Sequence, residues 1–262
     1  MAKPIVTLTT DFGLSDHFVG VMKGVILGIC PEARILDISH AVTPFGIAEG
    51  AYLIGQAYGY FPPGTIHVVV VDPGVGSARR PILVEAARQY FVAPDNGVLA
   101  VVYSREEHKV RALTNDRFFL KPVSRTFHGR DVFSPVAAHL AAGSPPRQFG
   151  ETLREYSWPR FDQPRQEGRN SWTGGILHID QFGNVITNFS SGEFSQLAER
   201  PFRMSVRSRN IRAWAENYAE GRPGKPFVIA GSSGYLEISL NQASAARFLG
   251  CTIHDPLRLK IS

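Results

Sequence analysis

Asp72-Pro73-Gly74-Val75-Gly76-Ser77-Ala78-Arg79-Arg80 sets a carboxylate and two guanidiniums around a glycine-rich turn, directly after the run Val68-Val69-Val70-Val71. A continuous β-branched run suits a strand buried on both faces. In an open parallel sheet, ligands bind just past the carboxyl ends of the strands, so a charged group placed there works on a ligand more often than on the core. Asp11 follows another strand-like segment, Ile5 to Thr10, and His128 opens a helix in Phe127-His128-Gly129-Arg130-Asp131. Singly, each has a local explanation: an Asx-turn for Asp11, a cap on the glycine turn for Asp72, a place beside a helix N-cap for His128. Together at one sheet edge, two carboxylates and an imidazole form a candidate catalytic constellation.

Other chemistries fit less well. Asp11, Asp16, His17, Asp37 and His40 are metal-ligand types, yet no dense motif such as His-Glu-x-x-His joins them. Asp72-Pro-Gly-Val-Gly lacks the Gly-Lys-Ser/Thr ending of a P-loop and the third glycine of a dinucleotide fingerprint. No Gly-x-Ser-x-Gly nucleophile elbow is present. Farther along, Asp180-Gln181-Phe182-Gly183-Asn184 reads as a hairpin turn, since Gly-Asn is good turn chemistry. Ser232-Ser233-Gly234-Tyr235-Leu236-Glu237 reads as a turn and a strand, and Asn188-Phe189-Ser190 matches a glycosylation sequon, irrelevant in a cytoplasmic chain.

The elements that must position these groups alternate between strand and helix. Ile5 to Thr10 predicts a strand, and Ser15 and Asp16 predict the N-cap and first turn of a helix carrying Phe18, Val21, Met22, Val25 and Ile29, stopped by Pro31. Gly20, Gly24 and Gly28 on that helix predict a closely packed face, because each costs helix propensity. A strand over Arg34 to His40 and a helix from about Ile47 to Tyr58 follow. Next come the opening stretch, strands at Pro81 to Glu85 and Gln89 to Ala93, a turn at Asp95-Asn96-Gly97 and a short helix over Val98 to Val102. The Thr126 to Asp131 segment introduces a helix through Val132 to Leu140. This is the pattern of an α/β sheet with helices on both faces.

From Pro159 to Asn170 the composition shifts to Pro, Gln, Arg and Gly. A linker at about 161–170 therefore separates an N-terminal α/β domain, 1–160, from a smaller C-terminal β-barrel domain, 171–262. The second domain's strands are expected at 175–179, 185–189, 202–206, 227–230, 235–238 and 257–261, with a helix near 243–249.

The length, 262 residues, suits one large domain or two unequal ones. No apolar run approaches the roughly 20 residues of a membrane helix, and the N-terminus enters a strand without a signal-peptide core, which points to the cytoplasm. Cys30 and Cys251 lie far apart without ligand-like spacing, arguing against a disulfide or zinc motif. The net charge of +5 comes from scattered arginines with no basic tract, so it reads as a solvated surface and not a nucleic-acid interface.

The motifs occur in a telling order: Thr10-Asp11-Phe12-Gly13, Val71-Asp72-Pro73-Gly74-Val75-Gly76 with Arg79, Phe127 to Asp131, Asp180 to Asn184 and Ser232 to Glu237. Over nearly the whole chain they resemble the S-adenosylmethionine hydroxide adenosyltransferase family, relatives of the fluorinase and chlorinase that use halide on the same substrate. The resemblance implies an N-terminal α/β domain, a C-terminal β-barrel and a homotrimer with its sites between neighbouring subunits. It implies hydrolysis of S-adenosyl-L-methionine to adenosine and L-methionine by attack at ribose C5′, with no metal or cofactor, no nucleic acid and no membrane.

By the same matching, the family's catalytic set falls on Asp72, Arg79 and His128. Asp11 would hold the ribose hydroxyls, Asn184, Ser232, Glu237 and Asn241 would contact adenine or the methionine moiety, and Phe182 would pack on the ligand. Halogenating relatives carry tyrosine where this chain has Asp72 and lack the arginine and histidine; the fluorinase also has an insertion after its fourth strand, where Pro81 to Asp95 is compact here. Both departures favour hydroxide over halide. Water has a pKa of about 15.7, so a hydroxide nucleophile needs a cation such as Arg79 to stabilise it. His128 would orient the water or accept its proton, and Asp72 would align the pair or accept a hydrogen bond. A chlorinase and a non-catalytic nucleoside- or RNA-binding module are the alternatives.

Overall fold

The computed structural model describes residues 3–253 and 255–262. It divides into two compact units, Met1–Pro159 and Arg160–Ser262.

The first unit runs β1 (Ile5–Thr10), α1 (Phe18–Ile29), β2 (Arg34–Ser39), α2 (Ile47–Ala57), β3 (Ile66–Val70), β4 (Pro81–Ala86), β5 (Gln89–Pro94), α3 (Ala100–Arg105), β6 (His108–Ala112) and α4 (Ser134–Ala141). Its six strands pair in the order β2-β1-β3-β5-β4-β6. Alternate residues of the valine run serve opposite faces, as a strand's period of two requires. Val68 and Val70 pack with Val19, Met22 and Ile26 of α1 and Val136 of α4, while Val69 and Val71 pack with Ile54 of α2 and Val102 of α3. Helices therefore cover both faces, as the alternation of elements predicts.

Strands β1, β2, β3 and β5 are parallel, but β4 runs antiparallel to both β5 and β6. The reversal follows from the β4–β5 connection. Ala87 and Arg88 sit at φ 51° and 59°, the backbone of a two-residue hairpin, which joins only antiparallel strands. The consequence reaches the candidate site. The end of β3, the start of β4 and the end of β5 all lie on one edge of the sheet, so the 71–80 loop leaves and re-enters there.

Two local expectations are corrected. The residue flanking α1 is His17, and neither it nor Ser15 makes a side-chain cap hydrogen bond. Gly20, Gly24 and Gly28 are exposed, with open space where a Cβ would stand, because α1 turns Val19, Met22 and Ile26 to the core instead.

The second unit runs β7 (Arg165–Gly168), β8 (Ser171–Ile179), β9 (Val185–Ser190), β10 (Phe202–Val206), β11 (Arg209–Ile211), β12 (Phe227–Ala230), β13 (Tyr235–Ser239), α5 (Ala245–Leu249) and β14 (Pro256–Ile261). The strands form a nearly barrel-shaped sheet in the order β11-β10-β14-β8-β9-β13-β12, with β7 added to β8. β14 alternates exposed and buried residues, sending Leu257, Leu259 and Ile261 into a core with Phe189, Met204 and Leu236. Within the stretch expected to be a linker, Arg165–Gly168 forms β7: all four residues are exposed, and backbone pairing alone makes it a strand.

Candidate active site

Asp72 and Arg79 face each other across the turns of the loop after β3. Arg79 Nε donates to Asp72 Oδ1 at 2.9 Å, and Nη2 donates to Asp72 Oδ2, a bidentate pair. Their side chains are only 4% and 9% exposed. Nη2 also donates to His128 Nδ1 at 2.8 Å. Arginine can only donate, so Nδ1 is the acceptor, and the proton of neutral His128 sits on Nε2. Burial, then the positive charge of Arg79, holds the imidazole below its usual range. Arg79 Nη1 is buried and has no hydrogen-bond partner. Its N–H groups are the unused donors of this cluster.

A cavity of about 40 Å³ adjoins the cluster, lined by Phe12, Val70, Asp72, Val75, Thr126, Phe127, His128 and Gly129. It has room for water-sized occupants and not for a nucleoside. His128 stands at the head of a π-helical turn, Gly129–Phe133, that leads into α4. Arg125, three residues before His128, lies against the glycine loop. Gly76 has φ +75°, and a Cβ there would lie 2.1 Å from the Arg125 carbonyl oxygen, so only glycine fits the approach.

Asp11 follows β1 at the same edge. Its Oδ2 accepts from the Phe45 backbone N–H at 2.9 Å. Burial raises the Asp11 carboxyl above its ordinary range, the Phe45 hydrogen bond works against that, and the Asp72 charge adds to the rise. Phe45 is held at φ 68° with its ring 70% exposed, a strained backbone for a bulky residue. Behind Asp11, the Thr10 hydroxyl meets His40 Nδ1 at 2.8 Å, His40 Nε2 lies 3.0 Å from Asp37 Oδ1, and Asp37 Oδ2 accepts from Lys23 Nζ at 2.6 Å. Two of the residues weighed as metal ligands, Asp37 and His40, thus bond each other and the strand that carries Asp11. Among the described residues, no group of three or more His, Cys, Asp or Glu side chains is placed to hold a metal ion.

In the second unit, Asp180 organises the β8–β9 turn: Oδ1 accepts from the Phe182 and Asn184 N–H groups at 3.0 and 2.8 Å, and Oδ2 from Asn184 Nδ2 at 2.9 Å. Gly183, at φ +85°, lies so close to Ser244 that a Cβ would meet its hydroxyl at 2.1 Å. The turn leaves Phe182 79% exposed. Glu237, on β13, is buried. Burial raises its carboxyl above the usual range, and the Tyr218 hydroxyl, donating to Oε2 at 3.0 Å, partly offsets this. Tyr218 is itself pushed up to about 12 by burial and by Glu237, so it remains a donor. Asn241 Nδ2 donates to the Gly221 carbonyl at 2.8 Å, and Ser232 is exposed in the β12–β13 turn.

Comparison with known proteins decides the family. Residues 6–150 match the protein-family model of the SAM hydroxide adenosyltransferase N-terminal domain, and residues 174–258 match that of its C-terminal domain. The chain belongs to the SAM hydroxide adenosyltransferase family. A relative from Salinispora tropica, named (R)-S-adenosyl-L-methionine hydrolase, is 36% identical over 260 residues, 98% of this chain and 97% of its own. A fluorinase from an Actinoplanes species is more distant, 28% identical with 93% of each chain covered. A crystal structure titled as an uncharacterized conserved protein from Thermotoga maritima superposes with a TM-score of 0.87 at 38% identity, covering 98% and 99% of the two chains.

Within this family frame, the structure brings Asp72, Arg79 and His128 into one hydrogen-bonded cluster and sets Asp11 close enough to feel the Asp72 charge. The expected second-unit residues Phe182, Asn184, Ser232, Glu237 and Asn241 occupy turns and one strand there, but only Asn184 and Glu237 are buried. Sequence reading missed Tyr218, Asp180 and Phe45. A tyrosine distant in sequence from the glutamate it supports leaves no local signal. Asp180 begins the Asp180 to Asn184 motif, and its value as the organiser of the turn emerges from its hydrogen bonds.

Proposed function

We propose that this chain hydrolyses S-adenosyl-L-methionine to adenosine and L-methionine. The carrying observation is the nearly inaccessible Asp72–Arg79 side-chain pair bonded to half-buried His128, with Arg79 Nη1 left without a partner and a water-sized cavity lined by Asp72 and His128. A water there is stabilised as incipient hydroxide by Arg79. Since His128 Nδ1 is taken by Arg79 and its other ring N–H by the Ser124 backbone, His128 orients the water by fixing the Arg79 guanidinium, while the Asp72 carboxylate accepts the water's hydrogen bond and proton. The oxygen bonds to C5′ as the C5′–sulfur bond breaks in line. Sulfur keeps the bonding pair, neutral methionine thioether leaves, and the water's proton passes through Asp72 to solvent.

Asp11 holds the ribose hydroxyls, whose donors supply the solvation that burial denies its carboxylate. Asn184, Ser232, Glu237 and Asn241 contact adenine or the methionine moiety, and Phe182 packs on the ligand. The name of the Salinispora relative specifies the (R) sulfur configuration, and the same epimer is the substrate assigned here. The reaction needs no cofactor, because a sulfonium departs as a neutral group without electrophilic help. The enzyme works in the cytoplasm as a homotrimer with sites at subunit interfaces, its two units serving as the 1–160 and 171–262 domains, without nucleic-acid or membrane partners. Among the described residues no helix is long and apolar enough to cross a membrane.

Purified protein given each sulfonium epimer should release equal amounts of adenosine and methionine from the (R) form. Arg79→Ala should lower kcat by ~100-fold or more, the scale of removing one charge-stabilising donor, while adenosine still binds. Full activity in both Arg79→Ala and Asp72→Ala would refute the mechanism. A 5′-chloro-5′-deoxyadenosine product in chloride buffer, with little adenosine, would reassign the enzyme to halide chemistry.

A further inference from the structure

Asp95 and Asn96 follow β5, on the edge where β3 ends and β4 begins. Asn96 Nδ2 donates to the carbonyl of Val71, the residue before Asp72, at 2.8 Å. Asp95 Oδ2 accepts from Arg80, the residue after Arg79, through Nε at 3.0 Å and Nη2 at 2.6 Å. The Asp95 N–H also donates to the Arg80 carbonyl at 2.8 Å. This anchor is itself tied down: Asp95 Oδ1 accepts from the Ser157 N–H at 2.8 Å, and Arg80 Nη2 reaches the Glu155 carbonyl at 2.8 Å. The Asp95 carboxylate is only 5% exposed and Arg80 44%, so the pair is anchored from its buried carboxylate side and water screens it only in part.

We infer that Asp95, Asn96 and Arg80 are positioning residues that clamp both ends of the 72–79 loop and so hold Asp72 and Arg79 in register with His128. Between the clamped ends the loop is braced mainly by short-range turn bonds, Val75 N–H to the Asp72 carbonyl at 3.2 Å and Ser77 N–H to the Gly74 carbonyl at 3.1 Å. Its middle rests on the Arg125 carbonyl at Gly76. Releasing either end lets the loop pivot on that contact and carries the guanidinium away from Nδ1 of His128. The role rests on the hydrolase reading for its catalytic effect but not for its geometry.

Two measurements separate this role from a merely structural brace. Below each variant's melting temperature, Asn96→Ala and Arg80→Ala should lower kcat by ~10–100-fold, as displacement of a reacting group by about 1 Å does. KM should stay within about threefold, because among the described residues the Asp11 side chain is held by the Phe45 N–H and by none of the three. Arg80→Lys, which keeps the charge and stem but loses the fork, should fall between, and it covers the case in which Arg80→Ala fails to fold. The second readout needs no turnover: NMR titration of His128. Its charged neighbours are Arg79, Asp72 and Asp131, and the Arg79 effect exceeds that of Asp72. Loosening the loop should therefore move the His128 titration to higher pH. Unchanged kcat and an unmoved His128 titration in the folded variants would overturn the clamp. If wild-type protein shows no hydrolysis, the functional reading fails, and the titration alone still decides the clamp.

Discussion

Glu237 is a buried carboxylate that burial pushes toward protonation, and the Tyr218 hydroxyl is a group that holds it charged. Removing the hydroxyl removes a hydrogen bond to a charged group, which contributes about 1.5–3 kcal/mol. Tyr218→Phe is therefore expected to raise KM for S-adenosyl-L-methionine about tenfold or more while kcat, which the proposed mechanism sets in the Asp72 cluster, changes less than twofold. Because the Glu237 carboxyl rises further without its donor, the loss should be larger at pH 5 than at pH 8, as steady-state kinetics at both would reveal. Equal KM for both proteins at both pH values would remove Glu237 from the ligand's environment. At this scale the sequence exposed groups that stand at strand ends, Asp11, Asp72 and Arg79, because topology sends such residues to a sheet edge. It did not expose partners chosen by three-dimensional contact. Tyr218 belongs to this class, and so does the His128 tautomer, which depends on the Arg79 bond.

β3 carries a buried histidine outside the Asp72 cluster. His67 is fully buried, its ring stacked 4.8 Å from that of Phe91. Gln89 fixes its protonation: Gln89 Nε2 donates to the Phe61 carbonyl at 2.7 Å, which turns Oε1 toward His67 Nε2 at 3.1 Å. Nε2 must then carry the proton, and Nδ1 accepts from the Thr7 hydroxyl at 2.7 Å. Burial lowers the imidazole from 6.5 to about 4. A depressed folded value means that the stabilisation is complete above about pH 6.5 and is lost as pH falls toward 4. The full difference is about 3 kcal/mol. Denaturant unfolding at pH 7 and pH 4.5 should show a larger drop for wild type than for His67→Gln, which lacks the titrating ring. Parallel losses in the two proteins would assign the acid sensitivity elsewhere. Elements dense in apolar residues, such as β1, β3, α2 and β13, were legible in sequence because burial dictates their pattern. β6, β7 and β11 were not, since His108-Lys109-Val110-Arg111-Ala112, Arg165 to Gly168 and Arg209-Asn210-Ile211 carry few apolar residues. β7 buries nothing and is a strand by backbone pairing alone, while β6 and β11 bury only Val110, Ala112 and Ile211, too few to set a pattern.

At the scale of the whole molecule, the proposed ligand contacts are shared between residues of the first unit, Asp11, Asp72, Arg79 and His128, and residues of the second, Phe182, Asn184, Ser232, Glu237 and Asn241. The surface carries large exposed apolar side chains in both units, Leu14 and Phe45 close in sequence to the Asp11 contacts and Phe182 in the Asp180 turn. Apolar and aromatic groups of this kind are enriched where subunits meet. A homotrimer with sites at its interfaces uses a ring of identical head-to-tail contacts, so each site draws on two different subunits. This arrangement has a consequence that a site built within one subunit lacks. Asp72→Ala subunits and Glu237→Gln subunits, each impaired alone, should complement after unfolding and refolding together in equal amounts. A site then works when its first-unit residues come from a Glu237→Gln subunit and its second-unit residues from an Asp72→Ala neighbour, which random assembly of a closed ring supplies about one time in four. Recovery to roughly a quarter of the wild-type rate, with a trimer mass by light scattering, is the expected result. Activity no greater than the mean of the two separate variants, in a mixture that has assembled, would place every site within a single subunit.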